Sequence, residues 1–274
     1  MVIDFHTHVF PDKIAEKTIQ ALASGTTDGV YFFNGTIDGM LEHMEKSNSD
    51  ISINLPVVTK SSQFDSVTSF AIEINKRFKD QKRKIVSFGG IHPDCEDIEG
   101  KMRYLKDNGI KGIKIHPDYQ GVNIDDERYI RILEVAKDMD MIVVTHSGID
   151  DAYYYAKKLP ERCPPELVKK VIKRVNHSKF VLGHFGAHSQ YEQVLDLLAG
   201  EDVYLDTAYT LDEISPELFK KILYKHGEDR VLFASDCPWR SIEDHAKILR
   251  SFNLGRETEE KIFYKNAQKL LGIK

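Results

Sequence analysis

Ile3-Asp4-Phe5-His6-Thr7-His8 is a short apolar run ending in two histidines one residue apart. Side chains alternate across a β-strand, so a strand here sends His6 and His8 to the same face. Two imidazoles on one rigid face can chelate a metal ion. They can equally serve as one hydrogen-bond cap and one solvent-facing ring, and the rest of the chain has to decide between the two.

The same kind of run recurs downstream. After Val2 to Val9 come Ile51 to Val58, Ile85 to Ile91, Ile110 to His116, Met141 to His146, Phe180 to Phe185, Val203 to Asp206 and Val231 to Asp236. Between them lie amphipathic stretches with apolar positions at helical spacing: Ser62 to Lys79, Glu96 to Asn108, Asp125 to Asp138, Pro165 to Val175, Gln190 to Ala199 and Pro216 to His226. Strands this apolar are buried on both faces, as a parallel sheet wrapped by helices requires. The pattern predicts an α/β fold, a single (β/α)8 TIM barrel over residues 1–274, with an open doubly wound sheet as the alternative. Neither a GxGxxG nor a GxxxxGK[ST] motif follows any strand, so nothing positive supports a nucleotide site.

Composition narrows the function. The formal charge is -5, from 38 Lys and Arg against 43 Asp and Glu, with both signs interspersed. That balance suggests neither a polyanion binder nor a membrane-surface protein. No apolar run approaches the roughly 20 residues of a membrane helix, and no signal-peptide pattern opens the chain, so a cytoplasmic location is expected. Cys95, Cys163 and Cys237 are far apart and are expected to be reduced thiols. Two connections are long. About 40 residues separate the first two strands, with Gly25, Gly29, Gly35 and Gly39, and Gly148 to Pro165 carries Asp150, Asp151 and Tyr153 to Tyr155. Both are candidate lids over a barrel mouth, or surface loops without a catalytic role.

Catalytic groups in such barrels sit at the carboxyl ends of the strands. Here those ends read His6-Thr7-His8, His92, Lys114-Ile115-His116, His146, His184 and Asp236. A purely structural barrel has no need to gather imidazoles on one rim. Neutral imidazoles with one carboxylate suit a divalent cation, and zinc is the expected ion, in one or two copies.

Four segments carry a family resemblance. His6-x-His8, Thr145-His146-Ser147-Gly148, Gly183-His184-Phe185-Gly186 and Ala234-Ser235-Asp236-Cys237-Pro238, in this order on strands one, five, six and eight, resemble the amidohydrolase superfamily. The likeness is to its amidohydrolase-related branch, which includes aminocarboxymuconate-semialdehyde decarboxylase-like enzymes, and extends to the closing Asn266-Ala267 and Leu270-Leu271-Gly272. It implies a metal-activated water acting on a carbonyl or related electrophile, or in some branches a metal-assisted decarboxylation. It also implies His6, His8 and Asp236 as ligands of a first metal, His146 as a further ligand, and Asp236 as the group that takes a proton from the attacking water. His184 is implied as a second-metal ligand in two-metal relatives and as a free acid or base in one-metal decarboxylases. Lys114, in Gly112-Ile113-Lys114-Ile115-His116-Pro117, is similar to a lysine that is carboxylated and bridges two metals in some relatives. The favoured expectation is an unmodified lysine that orients a substrate carboxylate.

His116 shares Lys114's face and is a candidate substrate contact, as are His92, Trp239 and Arg240, the last by bidentate grip of an anion. His188 and Tyr153 are weaker loop candidates. Strand alternation turns Cys237 away from the metal, and His43, His177, His226 and His245 fall on helices or their ends. The leading expectation is a metal-dependent hydrolase of a small, carboxylated or cyclic carbonyl compound. Asp236, His184 and Lys114 are its catalytic residues. The alternative is a lyase that decarboxylates an aromatic or unsaturated acid. A related nuclease is disfavoured, because the resemblance implies a glutamate where Lys114 stands, and a non-catalytic metal-binding barrel is the remaining reading. The expected partners are a small-molecule substrate and a second copy in a homodimer, with neither nucleic acid nor membrane.

Overall fold

The computed structural model describes residues 1–24, 29–150 and 160–273. Gly25, Asp151 and Tyr153 to Tyr155 lie outside them. Among these residues the strands are β1 (Ile3–Thr7), β2 (Ile51–Asn54), β3 (Lys84–Ser87), β4 (Gly89–Gly90), β5 (Gly112–Ile115), β6 (Ile142–Thr145), β7 (Phe180–Leu182), β8 (Tyr204–Asp206) and β9 (Val231–Leu232), all paired in parallel. The run predicted as one third strand is divided at Phe88, giving sheets β1-β2-β3 and β4 through β9. At the remaining seam the Phe5 N–H donates to Phe233 O (2.9 Å), the Asp236 N–H to His6 O (2.9 Å) and the His8 N–H to Cys237 O (2.8 Å). The strands therefore run round a (β/α)8 barrel.

Helices follow the strands on the outside: α1 (Asp12–Ala23) and α2 (Ile37–Lys46), then α3 (Phe64–Arg77), α4 (Ile98–Asp107), α5 (Pro117–Gln120), α6 (Glu127–Asp138), α7 (Pro165–Val175), α8 (Tyr191–Gln193), α9 (Pro216–His226), α10 (Ile242–Ser251), α11 (Arg256–Glu260) and α12 (Asn266–Leu271). Their starts are set by local chemistry. Thr36, Asp126, Ser215 and Ser241 accept backbone N–H bonds at their N-caps, and Pro165 and Pro216 open α7 and α9 with a preset φ. The stretch predicted as a helix from Gln190 to Ala199 is split, with a π turn over Val194–Leu198 after α8. The long first connection contains α1 and α2. Its Phe32 N–H donates to Pro238 O (2.9 Å), which sets this segment beside the loop after β9.

Two apolar clusters follow from the alternation. Ile3, Phe5, Ile53, Val144, Val181 and Leu232 meet inside the barrel, closed at one end by Ala267, Leu270 and Leu271 of α12. Ile113, Ile115, Val143, Leu182, Leu205 and Phe233 face the helices. Phe5 stands edge-on to Phe88, at 6.0 Å and 89°.

Strict alternation would put Phe5 and His6 on opposite sides, yet Phe5 belongs to the inner cluster while His6 also contacts groups inside. The register explains this: Asp4 pairs with Ser52 but Thr7 with Asn54, so three steps on β1 match two on β2. The extra residue re-aims the chain, as β-bulges do, and brings both histidines to the interior beyond the apolar layer.

Candidate metal centre

His6 is buried and its ring is fixed at both nitrogens. Nδ1–H donates to Asp206 Oδ2 (2.9 Å), leaving the Nε2 lone pair facing inward, 3.1 Å from Lys114 Nζ and 3.5 Å from Asp236 Oδ1. His8 repeats the arrangement: Nδ1–H donates to Leu55 O (3.0 Å), and Nε2 lies 3.1 Å from Asp236 Oδ1. Holding one nitrogen with an outer acceptor selects the tautomer that presents the other to a metal. Nε2 of His6 and His8 and a carboxylate oxygen of Asp236 lie within 4.8 Å of one another. This donor set fits a divalent cation, and the lone pair of His6 is already directed at a cationic group, the Lys114 ammonium.

Lys114 alternates with Ile113 and Ile115 and so points inward, where it is 1% exposed. Burial pulls its pKa down, opposed by the charges of Asp206 and Asp236, to about 8. Asp236 is pushed up by burial, but its contacts with His8, His6 and His184 outweigh this and hold it below the ordinary carboxylate range. Burial, and then the Lys114 charge, lowers His6. The chain around these groups is strained: Asp236 at φ 71° and His184 at φ 57° occupy the left-handed region that costs non-glycine residues energy.

His184 sits between the rings of His6 (5.4 Å) and His146 (4.6 Å). Its Nδ1–H donates to Ala208 O (3.0 Å) and its backbone N–H to Asp206 Oδ1 (3.0 Å). Burial above all drives its pKa down to about 3, so the ring is neutral at pH 7. Among the described residues it belongs to neither of the two donor clusters.

The second cluster is His116, His146 and Asp150, again with ligand atoms within 4.8 Å. His116 caps α5 by accepting the Tyr119 N–H (3.4 Å), stacks on Tyr119 at 4.0 Å, and stacks on His146 at 4.3 Å. Burial and the neighbouring positive charge of Lys114 lower His116 well below the usual imidazole value; burial and the neighbouring imidazoles do the same to His146. His146 thus lies beside His116, with its ring also 4.6 Å from that of His184.

The other predicted residues are placed differently. His92 is engaged locally, its Nδ1 accepting the Asp94 N–H (3.1 Å). Arg240 donates from Nε to Asp212 Oδ2 (2.8 Å), faces Glu213 at 3.7 Å and lies 3.6 Å over the Tyr209 ring. Its charge is matched by protein carboxylates. Trp239 is half-buried, its N–H donating to Asp236 O (2.9 Å). His188 bonds Ile149 O (2.8 Å) and Glu213 Oε2 (2.8 Å), with its ring 5.9 Å from that of His184. Cys95, Cys163 and Cys237 are free and buried.

Sequence reading missed Asp206, which orients His6 and anchors the His184 and Ala208 N–H groups. The available signal was its place at the end of the apolar run Val203 to Asp206. It also missed Asp4, whose carboxylate accepts the N–H groups of His6 (3.2 Å) and Ser235 (3.0 Å) and so ties β1 to the segment carrying Asp236.

Comparison with known proteins gives the family of the chain. The amidohydrolase family model matches residues 3–273, so the chain is an enzyme of the amidohydrolase family. It is similar to 5-carboxyvanillate decarboxylase from Sphingomonas paucimobilis, at 13% identity, 100% and 99% coverage of the two chains and a TM-score of 0.69. A dihydroxybenzoic acid decarboxylase from Polaromonas sp. JS666, solved with bound manganese and 2-nitroresorcinol, matches at 16% identity, 99% and 96% coverage and 0.70. A TIM-barrel protein from Bordetella bronchiseptica matches at 15%, 99% and 98%, and 0.75. No curated protein matches the sequence. No helix among the described residues is long and apolar enough to cross a membrane.

Proposed function

We propose that the protein is a metal-dependent decarboxylase of a small aromatic carboxylic acid carrying a neighbouring oxygen substituent. The observation that carries this reading is the position of His184, outside both donor clusters and turned so that Nε2 is free of the Ala208 bond. A two-metal hydrolase would use this ring as a ligand, whereas a lyase needs it to move a proton. The full-length fold likeness to hydroxybenzoate-type decarboxylases supports the same choice, which moves the preference from hydrolysis to its lyase alternative.

His6, His8 and Asp236 would hold the ion, zinc or manganese. When bound, a divalent cation supplies Lewis-acid stabilisation of anionic oxygens. The remaining chemistry belongs to the chain. Lys114, unmodified and largely protonated at pH 7, orients the substrate carboxylate and offsets its charge. His184 starts neutral, so Nε2 takes the proton of the substrate's acidic O–H and returns it to carbon. The bond from ring carbon to carboxyl carbon breaks, its electron pair stays on the ring carbon, and that carbon receives the proton as carbon dioxide leaves. Asp236, held ionised, stabilises the transient imidazolium across the site.

Turnover in deuterium oxide tests the role of His184. One deuterium should appear at the carbon that loses carbon dioxide, and His184→Gln should lower kcat about 100- to 10,000-fold. An unimpaired His184→Gln enzyme would remove His184 from the reaction.

A further inference from the structure

The chemistry above leaves unused a run of charged side chains around the ring of Tyr209. Arg240 donates from Nε to Asp212 Oδ2 (2.8 Å) and lies 3.6 Å over that ring, as a guanidinium stacked on an aromatic face does. Its Nη2 faces Glu213 Oε1 at 3.7 Å, and Glu213 Oε2 meets His188 Nε2 at 2.8 Å. His188 in turn stands beside the same tyrosine, with ring centroids 5.4 Å apart at 76°. Its Nδ1 reaches Ile149 O (2.8 Å), so the run joins the segments that follow β6, β7, β8 and β9.

The proton count on His188 follows from its partners. A backbone carbonyl and a carboxylate oxygen only accept, so each ring nitrogen has to donate and the ring is an imidazolium. Ser189 Oγ, at 3.4 Å from Nδ1, is the longer contact and does not displace the Ile149 bond. His188 is 4% exposed, and a charge buried to that extent needs the paired carboxylate of Glu213. Cation and carboxylate therefore alternate from His188 through Glu213 and Arg240 to Asp212, with Tyr209 held between the two cations.

Tyr209 matters because of the residue before it. Ala208 O accepts the Nδ1–H of His184 (3.0 Å), and the chain leaves Ala208 into a left-handed Tyr209 at φ 53°. A non-glycine residue keeps such a conformation only where its surroundings over-determine it. Here the backbone N–H donates to Ser235 O (3.3 Å), and the ring is fixed by Arg240 and His188. His188 also packs on His184 directly, with centroids 5.9 Å apart.

We propose that Arg240, Glu213 and His188 are positioning residues that clamp Tyr209, so that the Ala208 carbonyl holds His184 in the tautomer with Nε2 open. The inference rests on the proton-carrying role of His184 proposed above for its effect on turnover, but not for its spectroscopic signature.

Zinc-loaded, 15N-labelled full-length protein is recorded by two-bond 1H–15N correlation at pH 7, beside steady-state kinetics on hydroxylated benzoic acids. His188 should show both ring nitrogens protonated. Glu213→Gln should remove one of those protons, because the glutamine amide can donate to Nε2 and no longer balances a charge. Arg240→Met should shift the His184 signals toward a mixture of tautomers and lower kcat about 10- to 100-fold with KM nearly unchanged. Arg240→Lys, which keeps the charge, should recover part of that loss. Glu213 is exposed, so Glu213→Gln keeps the test open if Arg240→Met impairs folding. A single ring proton on wild-type His188 would overturn the proposal, as would wild-type His184 signals in Arg240→Met. A raised KM with kcat kept would make Arg240 a substrate contact and overturn it too. If none of the acids is turned over, the decarboxylase reading fails, and the His188 and His184 signals still decide the clamp.

Discussion

Asp206 shows how much of this site hangs on a residue that touches no expected ligand atom directly. It accepts from the His6 ring on one oxygen and from the His184 and Ala208 N–H groups on the other. Replacing it with asparagine keeps the shape but removes the charge that favours His6 donating from Nδ1. Asp206→Asn should therefore weaken metal binding about 10- to 100-fold, measured by competition with a chromogenic chelator; unchanged affinity would mean that packing alone orients His6. The histidines of the rim were legible because strand ends can be located from apolar runs. Asp118 and Asp150 were not assigned to the rim, because they arrive on the residues after β5 and β6, whose course depends on the capping of α5 and on Gly148 rather than on periodicity.

Gly148 carries that dependence at the level of the element. Its φ of +84° and its bridge to His188 turn the chain after β6, and a Cβ there would lie 2.2 Å from the His188 nitrogen. Gly148→Ala should destabilise the fold by at least about 2 kcal/mol, from left-handed strain and the backbone clash. The melting temperature should fall by several degrees, and a fall under one degree would show that the turn can relax. Elsewhere the alternation of apolar runs and amphipathic stretches located the strands and α3, α4, α6, α7 and α9. It failed where a local irregularity intervenes: at Phe88, which divides the third strand, at the bulge between Asp4 and Thr7, and in the π turn after α8. The first two lie in the pairing between strands, which a single strand's sequence does not encode.

For the whole molecule, buried neutral histidines make acid stability a property of the fold. His226 accepts the Gly200 N–H at Nδ1 (3.2 Å) and donates from Nε2 to Val203 O (3.0 Å), so a second ring proton has no acceptor among these partners. Burial, then the Arg230 charge, lowers its pKa from 6.5 to about 4. The unfolded chain binds the proton first as pH falls. The contribution, about 3 kcal/mol, is thus fully present above pH 6.5 and is lost between pH 6.5 and 4. Denaturant unfolding of His226→Gln beside the wild type should show a shallower dependence on pH in that window, and parallel curves would contradict it.

The family and the barrel were legible in the chain because motif order follows strand order. The reaction was not, because hydrolysis and decarboxylation can use the same metal ligands and part at the freedom of one imidazole, His184. Carbon dioxide release settles that difference most directly. Metal-loaded enzyme incubated with a panel of hydroxylated benzoic acids should release one carbon dioxide per arene formed, with release abolished by chelator and restored by zinc or manganese. Intact acids from the whole panel, alongside metal-dependent cleavage of an ester, lactone or amide, would contradict the account.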